Sequence, residues 1–263
     1  MTYDPSGPAG RPPAPAQPLL VVRDVTLQFG GVKALSDVSF DVMRGELFAV
    51  IGPNGAGKTS IFNCLNGVYR PVRGSIAFEG VELIGKRPAR IAEMGVARTF
   101  QNLGLFTRLN VIYNLMLGRH HLMKTGFVSG AFWFGRARRE EAHHRVAVEE
   151  IIELLELQPY RYRPVGLLAY GIQKRIELGR ALAMDPQLLL LDEPVAGMNA
   201  TETEDMARYI LDIKDRLKVA MILVEHDMHM VMDIADRVMA LDFGVPLATG
   251  RPEEIQQYQR VID

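Results

Sequence analysis

One cysteine, Cys64, is all that 263 residues contain. No internal disulfide can form, which suits a reducing compartment. Charge of one sign is also missing: 30 Lys and Arg face 31 Asp and Glu, a net charge of -1. That excludes the broad basic field with which nucleic-acid binders hold phosphate backbones, so no nucleic-acid partner is expected. No apolar run approaches the ~20 residues that cross a bilayer. The opening "MTYDPSGPAGRPPAPAQP" lacks the charged start and apolar centre of a signal peptide. Its Pro, Gly and Ala cannot bury enough surface to offset ordering, so residues 1–17 are expected to form a disordered tail. There is no internal repeat and no HExxH spacing. Four of the six histidines fall in the pairs His120–His121 and His143–His144. Adjacent helical residues diverge by ~100°, so neither pair is read as a metal site.

What is present is a sizeable core, with 48% hydrophobic residues. The length suits one large domain or a core with a subdomain. "LLVVRDVTLQF" and "ALSDVSFDV" alternate like strands. "GSIAFEG" is a further short strand. From Pro88 to about Leu157 the pattern is mostly helical, and "EEAHHRVAVEEIIELLEL" spaces opposite charges for helix-face pairing. "QLLLLDEP" reads as a buried parallel strand. After it come a helix at Glu202–Lys218, a strand at Ala220–Val224, a helix at Met228–Ala235 and a strand at Arg237–Leu241. Strands alternating with helices indicate an α/β fold around a parallel sheet.

The chemistry is concentrated in "GPNGAGKT", Gly52–Thr59. It matches G-x-x-x-x-G-K-[ST] and lies between a buried strand and a helix. Gly52, Gly55 and Gly57 allow successive N–H groups to point at phosphate oxygens. Pro53, Asn54 and Ala56 complete the loop, and Ser60 follows it. The helix N-terminus adds its positive end. Lys58 is assigned to the β/γ-phosphates and the Thr59 hydroxyl to Mg²⁺. "LLLLDE" supplies the second half. Asp192, at the C-terminal end of its strand, is expected to hold Mg²⁺ through water, and Glu193 is the candidate base or orienting group for an attacking water.

The stretch "LLAYGIQKRIELGRALA", about 20 residues before the second acidic motif, narrows the class. Leu168 to Ile172 stands in the register of the L-S-G-G-Q signature, and the chain resembles an ABC ATPase. Gln101 in "ARTFQNLGLF" resembles the Q-loop, "AGMN" (Ala196–Asn199) the D-loop, and His226 in "LVEHDM" the switch histidine. Phe29, ahead of "GGVKAL", resembles the aromatic that stacks on adenine. The resemblance covers residue 19 to about 257. "RTFQNLGLF", an insertion at about Arg119–Arg145, "LAYG", "LDEPVAGMN", "EHDM" and "DFGVPLATGRPEEI" together look like the longer, LivG-type ATPase of branched-chain amino acid importers, whose relatives take up urea, amides or aromatic acids.

That resemblance implies a P-loop ATPase core at about 18–98 and 186–250, with an antiparallel β subdomain. A helical signature subdomain follows at about 99–185, within one domain spanning 18–263. It implies ATP and Mg²⁺ as cofactors, with Gln101 joining Thr59 and Asp192 at the metal and acting with Glu193 and His226 in catalysis. It implies a second ATPase subunit, identical or paralogous, whose nucleotide meets Ala169, Tyr170 and Gly171. It further implies permease subunits, a solute-binding protein outside, and a location on the cytoplasmic face of the inner membrane.

Ala169 replaces the usual Ser, which removes a charged hydrogen bond of about 1.5–3 kcal/mol. What survives is close approach at Gly171 and the positive end of a helix expected to begin near Ile172. Ile172 departs from the usual Gln. Asn199 replaces the usual D-loop Asp, as it commonly does in this subgroup.

Three competitors are weaker. An exporter ATPase of the lipopolysaccharide type usually lacks the insertion. Soluble ABC proteins of ribosomes or DNA typically carry two cassettes or a long coiled coil. The order of signature, second acidic motif and histidine argues against a P-loop kinase or GTPase, and a GTPase should show N-K-x-D, which is absent. Outside the site, Cys64 and the methionines Met228, Met230 and Met232 read as core. "FWFGRARR" (Phe132–Arg139) reads as a surface loop or a lipid- or permease-facing one.

Overall fold

The structure, a computed structural model, describes residues 17–99, 104–122 and 136–258. The tail through residue 16, Gln101 and the aromatics of "FWFGRARR" lie outside these residues.

Strands β1 (Leu20–Phe29), β2 (Val32–Val42), β4 (Arg73–Phe78) and β5 (Val81–Glu82) form an antiparallel sheet in the order β2-β1-β4-β5. The second sheet has the order β10-β9-β3-β8-β7-β6. It comprises β3 (Leu47–Ile51), β6 (Val96–Arg98), β7 (Leu188–Asp192), β8 (Ala220–Val224), β9 (Arg237–Asp242) and β10 (Val245–Gly250). Five of its strands run parallel, and β10 closes one edge antiparallel to β9.

The inner strands β3, β7 and β8 are buried at every position. That explains their unbroken apolar runs, because helices or sheet cover both faces. The pleat divides them between two cores. Phe48, Val50, Leu188, Leu190, Ile222 and Val224 face helix α1 (Lys58–Leu65) and the antiparallel sheet. Leu47, Ala49, Leu189, Leu191, Met221 and Leu223 face the other core. That core is closed by α3 (Val111–Gly118), α4 (Arg136–Leu154), α5 (Tyr170–Leu182), α6 (Ala200–Leu217) and α7 (Met228–Ile234). Helix α2 (Pro88–Glu93) precedes β6, and α8 (Pro252–Gln256) follows β10. Among the described residues, no helix is long and apolar enough to cross a membrane.

Two helix starts differ from the sequence expectation. Helix α6 begins at Ala200 because Asn199 caps it. The Asn199 side chain accepts from the Glu202 N–H at 3.0 Å, and Glu202 accepts from the Asn199 N–H at 3.1 Å, a capping box. Helix α5 begins at Tyr170, two residues before Ile172. Its N-cap is Ala169, which offers no side-chain acceptor, so no capping residue marks the start in the sequence. Met230 packs in the core and Met232 lies against it, whereas Met228 is exposed.

Cys64 faces the core from α1, and burial pushes its thiol up to about 12. The thiolate is the reactive form. The folded protein therefore leaves Cys64 unmodified by iodoacetamide at pH 8, while the denatured chain takes up label. Mass spectrometry before and after denaturation checks this, and rapid labelling of the native chain would contradict it.

Candidate nucleotide site

Three loops leave the same edge of the sheet from neighbouring strands β3, β8 and β7. In parallel α/β sheets the strand C-termini are where ligands bind. After β3 the chain turns through Gly52–Thr59 into α1. Gly52, Gly55 and Gly57 have φ of 149°, 83° and 107°, all in the region where L side chains are strained. At Gly52 a Cβ would lie 2.0 Å from the Leu241 carbonyl oxygen, and at Gly57 2.9 Å from that of Ala34. Gly55 has open space in front of it. Two of the glycines thus let the loop pack on β9 and β2, and the third leaves the concavity clear.

Lys58 is buried, and its Nζ donates to the carbonyls of Gly52 at 2.6 Å and Pro53 at 3.0 Å. Desolvation lowers its pKa, opposed by the charges of Glu193 and Asp192. The ammonium is thus held over its own loop, with carboxylates nearby. Thr59 follows in the first turn of α1 and is itself exposed.

Asp192 ends β7 and is 3% exposed. Its N–H donates to the Thr99 hydroxyl at 3.2 Å, and its Oδ2 accepts from Arg98 Nη2 at 2.5 Å. Glu193 turns away in the left-handed region at φ 49°, its N–H donating to the Val224 carbonyl at 2.9 Å. A non-glycine residue held there is strain of the kind that gathers at functional sites. The Glu193 carboxylate then lies 3.1 Å from His226 Nε2. A cavity of about 470 Å³ opens beside them, lined among others by Gly52, Pro53, Glu225, His226 and Asp242.

Glu225 was not singled out in the sequence. It is 3% exposed and directly follows β8. Its Oε1 accepts from the Val195 N–H and its Oε2 from the His226 N–H, both at 2.9 Å, and the Asp227 N–H adds a further bond. Desolvation raises its pKa, against these N–H donors and helped by the nearby Glu193 charge. Glu225 thereby ties the turn after Glu193 to the turn that carries His226. Glu225→Ala strands buried N–H groups, at about 1–3 kcal/mol each. A fall in denaturation midpoint is expected, with Glu225→Gln keeping most of the stability because it still accepts at one oxygen. An Ala variant as stable as wild type would refute this.

Phe29 ends β1 and is 48% exposed, its ring meeting Tyr69 edge-on at 5.0 Å. The hairpin beyond it returns Ala34 and Leu35 onto the phosphate loop at Gly57. Ala169, Tyr170 and Gly171 are elsewhere, at the start of α5. Among the described residues no hydrogen bond links them to the phosphate loop. Tyr170 packs against Gly197, where a Cβ would lie 3.3 Å from the ring. A Cβ on Gly171 would lie 2.4 Å from Glu202 Oε1, so this glycine also makes room for the α6 cap. Pro53, Asn54 and Ala56 lie in the loop and Ser60 in α1, as their sequence positions require.

A phosphate loop after one strand and paired carboxylates ending another define a P-loop nucleotide hydrolase. The ABC transporter family model matches residues 35–196, more than half of the chain. The chain belongs to the ABC transporter family and is an ATP-binding cassette ATPase. It is 40% identical over 247 residues to the high-affinity branched-chain amino acid transport ATP-binding protein LivG of Salmonella typhimurium, covering 94% of this chain and 97% of that one. It is 39% identical, with the same coverage, to BraF of Pseudomonas aeruginosa, described in the same words. Among solved structures it resembles a nucleotide-free ATP-binding cassette from an ABC transporter, with TM-score 0.81 and 27% identity, over 94% of this chain and 98% of that one. An ADP-bound cassette of an ABC transporter matches with TM-score 0.81 and 28% identity, over 94% and 97%.

Proposed function

We propose that the chain is the ATP-binding subunit of an importer for branched-chain amino acids or a related small solute such as urea, an amide or an aromatic acid. The observation that carries this is identity of 40% spread over almost the whole of both chains, with a protein of that transport class. In this reading the subunit works as a dimer, identical or paralogous, on the cytoplasmic face of the inner membrane. Separate permease subunits carry the solute, delivered by a binding protein. Residues 18–98 and 186–250 serve as the nucleotide core and 99–185 as the helical subdomain.

Each site residue has a role in this reading. Phe29 offers adenine an exposed ring face. The loop N–H groups and Lys58 take the β/γ-phosphates, Lys58 exchanging its carbonyl partners for phosphate oxygens. The oxygen donors Thr59 and Asp192 fit Mg²⁺, which characteristically takes one or two carboxylates together with substrate phosphates; Gln101 joins them. Bound Mg²⁺ neutralises charge that builds on the phosphates. Glu193 takes a proton from, or orients, the attacking water. His226, held by Glu193, faces the γ-phosphate. Ala169, Tyr170 and Gly171 meet the nucleotide of the second subunit.

Affinity purification of the tagged protein from detergent-solubilised membranes of its host, with mass spectrometry of every co-purifying chain, tests the transport reading. Two polytopic permeases and a shorter ABC ATPase are expected. Recovery with ribosomal or DNA-repair proteins, or without any membrane protein, would overturn the importer and leave the ATPase.

A further inference from the structure

The last residue of β6 puts a cation on the carboxylate that the metal needs. Arg98 Nη2 donates to Asp192 Oδ2 at 2.5 Å, and its Nη1 donates to Asn63 Oδ1 at 2.8 Å. The two charged side chains are 11% and 3% exposed. The guanidinium lies 5.4 Å from the centre of the Phe62 ring. Register holds it there, because β6 pairs in parallel with β7 and sets Arg98 opposite Leu190, two residues before Asp192.

A carboxylate this deep needs a cation or several donors. Arg98 supplies the cation and Thr99 receives the Asp192 N–H, so two consecutive residues of one strand hold Asp192 at both ends. Arginine suits the position better than lysine. Its planar fork spans two acceptors on different elements, Asp192 on β7 and Asn63 on α1. Asn63 is four residues after Thr59 on the same helix, so one guanidinium is tied to the elements carrying both proposed metal donors.

We propose that Arg98 is the resident counter-ion of Asp192, competes with Mg²⁺ for that carboxylate, and so sets the affinity of the site for the metal. This rests on the reading of Asp192 as a Mg²⁺ group. Two cations drawn to one carboxylate repel one another, and in a buried site that repulsion is poorly screened. Arg98 satisfies Asp192 while the metal is absent and weakens the metal's hold when it arrives. The device keeps a buried acid paired in every state of the cycle.

The test is a calorimetric titration of Mg²⁺ into the full chain saturated with ADP. Arg98→Met keeps the bulk and removes the charge. Its apparent Mg²⁺ dissociation constant is expected to fall about three- to tenfold. Arg98→Lys restores a cation and should return the constant to within about twofold of wild type. Unchanged or weaker Mg²⁺ binding in Arg98→Met would overturn the proposal.

A second measurement needs no binding variant. The guanidinium ¹⁵N–¹H signal of Arg98, assigned by its loss in Arg98→Lys, should shift when Mg²⁺ is added to the ADP-saturated wild type, and a signal that stays in place would overturn the proposal too. Asp192→Asn separates the two readings. If that variant binds Mg²⁺ as wild type does, the metal assignment itself fails. If it loses Mg²⁺ while Arg98→Met gains nothing, only the counter-ion role fails.

Discussion

Replacing Glu193 by Gln lowers ATP hydrolysis by roughly 10²–10⁴-fold, the range a positioned general base contributes, and leaves ATP binding in place. The substitution is nearly isosteric. It keeps an oxygen for His226, 3.1 Å away, and the backbone at φ 49° is already imposed by the Glu193 N–H to Val224 bond. Only the basic oxygen is lost. Single-turnover hydrolysis and equilibrium nucleotide binding, measured on the same preparation, separate the two effects. Hydrolysis within about threefold of wild type would remove Glu193 from the base role, since a base contributes far more than that. His226→Ala should also be slow, and the double variant little slower than Glu193→Gln. Groups that act as one unit are strongly non-additive.

The phosphate loop was legible because its chemistry is local. Three glycines, Lys58 and Thr59 are fixed by spacing within one turn, and the loop geometry follows from those residue types. The strands β3, β7 and β8 were legible for a similar reason: being buried on both faces, they advertise themselves as short apolar runs. What the sequence hid is what depends on register between distant segments. Arg98 meets Asp192 across 94 positions, and Glu225 reaches Val195 across 30. A carboxylate or guanidinium in a strand end looks the same in sequence whether it holds a loop or faces water.

The start of α5 lies two residues before the position the sequence suggests, for another reason. With Ala169 as N-cap there is no polar signal to read, and Gln173 closes the turn instead by donating to the Leu168 carbonyl at 2.8 Å. Gly171 illustrates a role with two causes. The family resemblance assigns it to close approach of a phosphate, while its packing against Glu202 arises from the capping box that Glu202 forms with Asn199 on another helix.

Lys58→Met weakens ATP binding by about tenfold to a hundredfold for each charged hydrogen bond lost, yet does not destabilise the empty protein. The stem of Lys58 is buried, and Met fills that space without the charge. Desolvation holds the Lys58 pKa below 10.5 in the fold, despite the pull of Glu193 and Asp192. Between that lowered pKa and 10.5 the unfolded chain binds more protons than the folded one, so stability rises with pH across this window. Below the window the cost of burying the ammonium is fully present. Lys58→Met removes that cost together with the two hydrogen bonds to the Gly52 and Pro53 carbonyls, which oppose one another, so its denaturation midpoint at neutral pH should stay close to that of wild type, and the rise toward pH 10.5 should shrink. Chemical denaturation at several pH values and nucleotide titration check the two signs together. A variant that lost stability and affinity in parallel would make Lys58 a structural residue of the loop, because a side chain kept for its phosphate alone is carried at a cost while the site is empty.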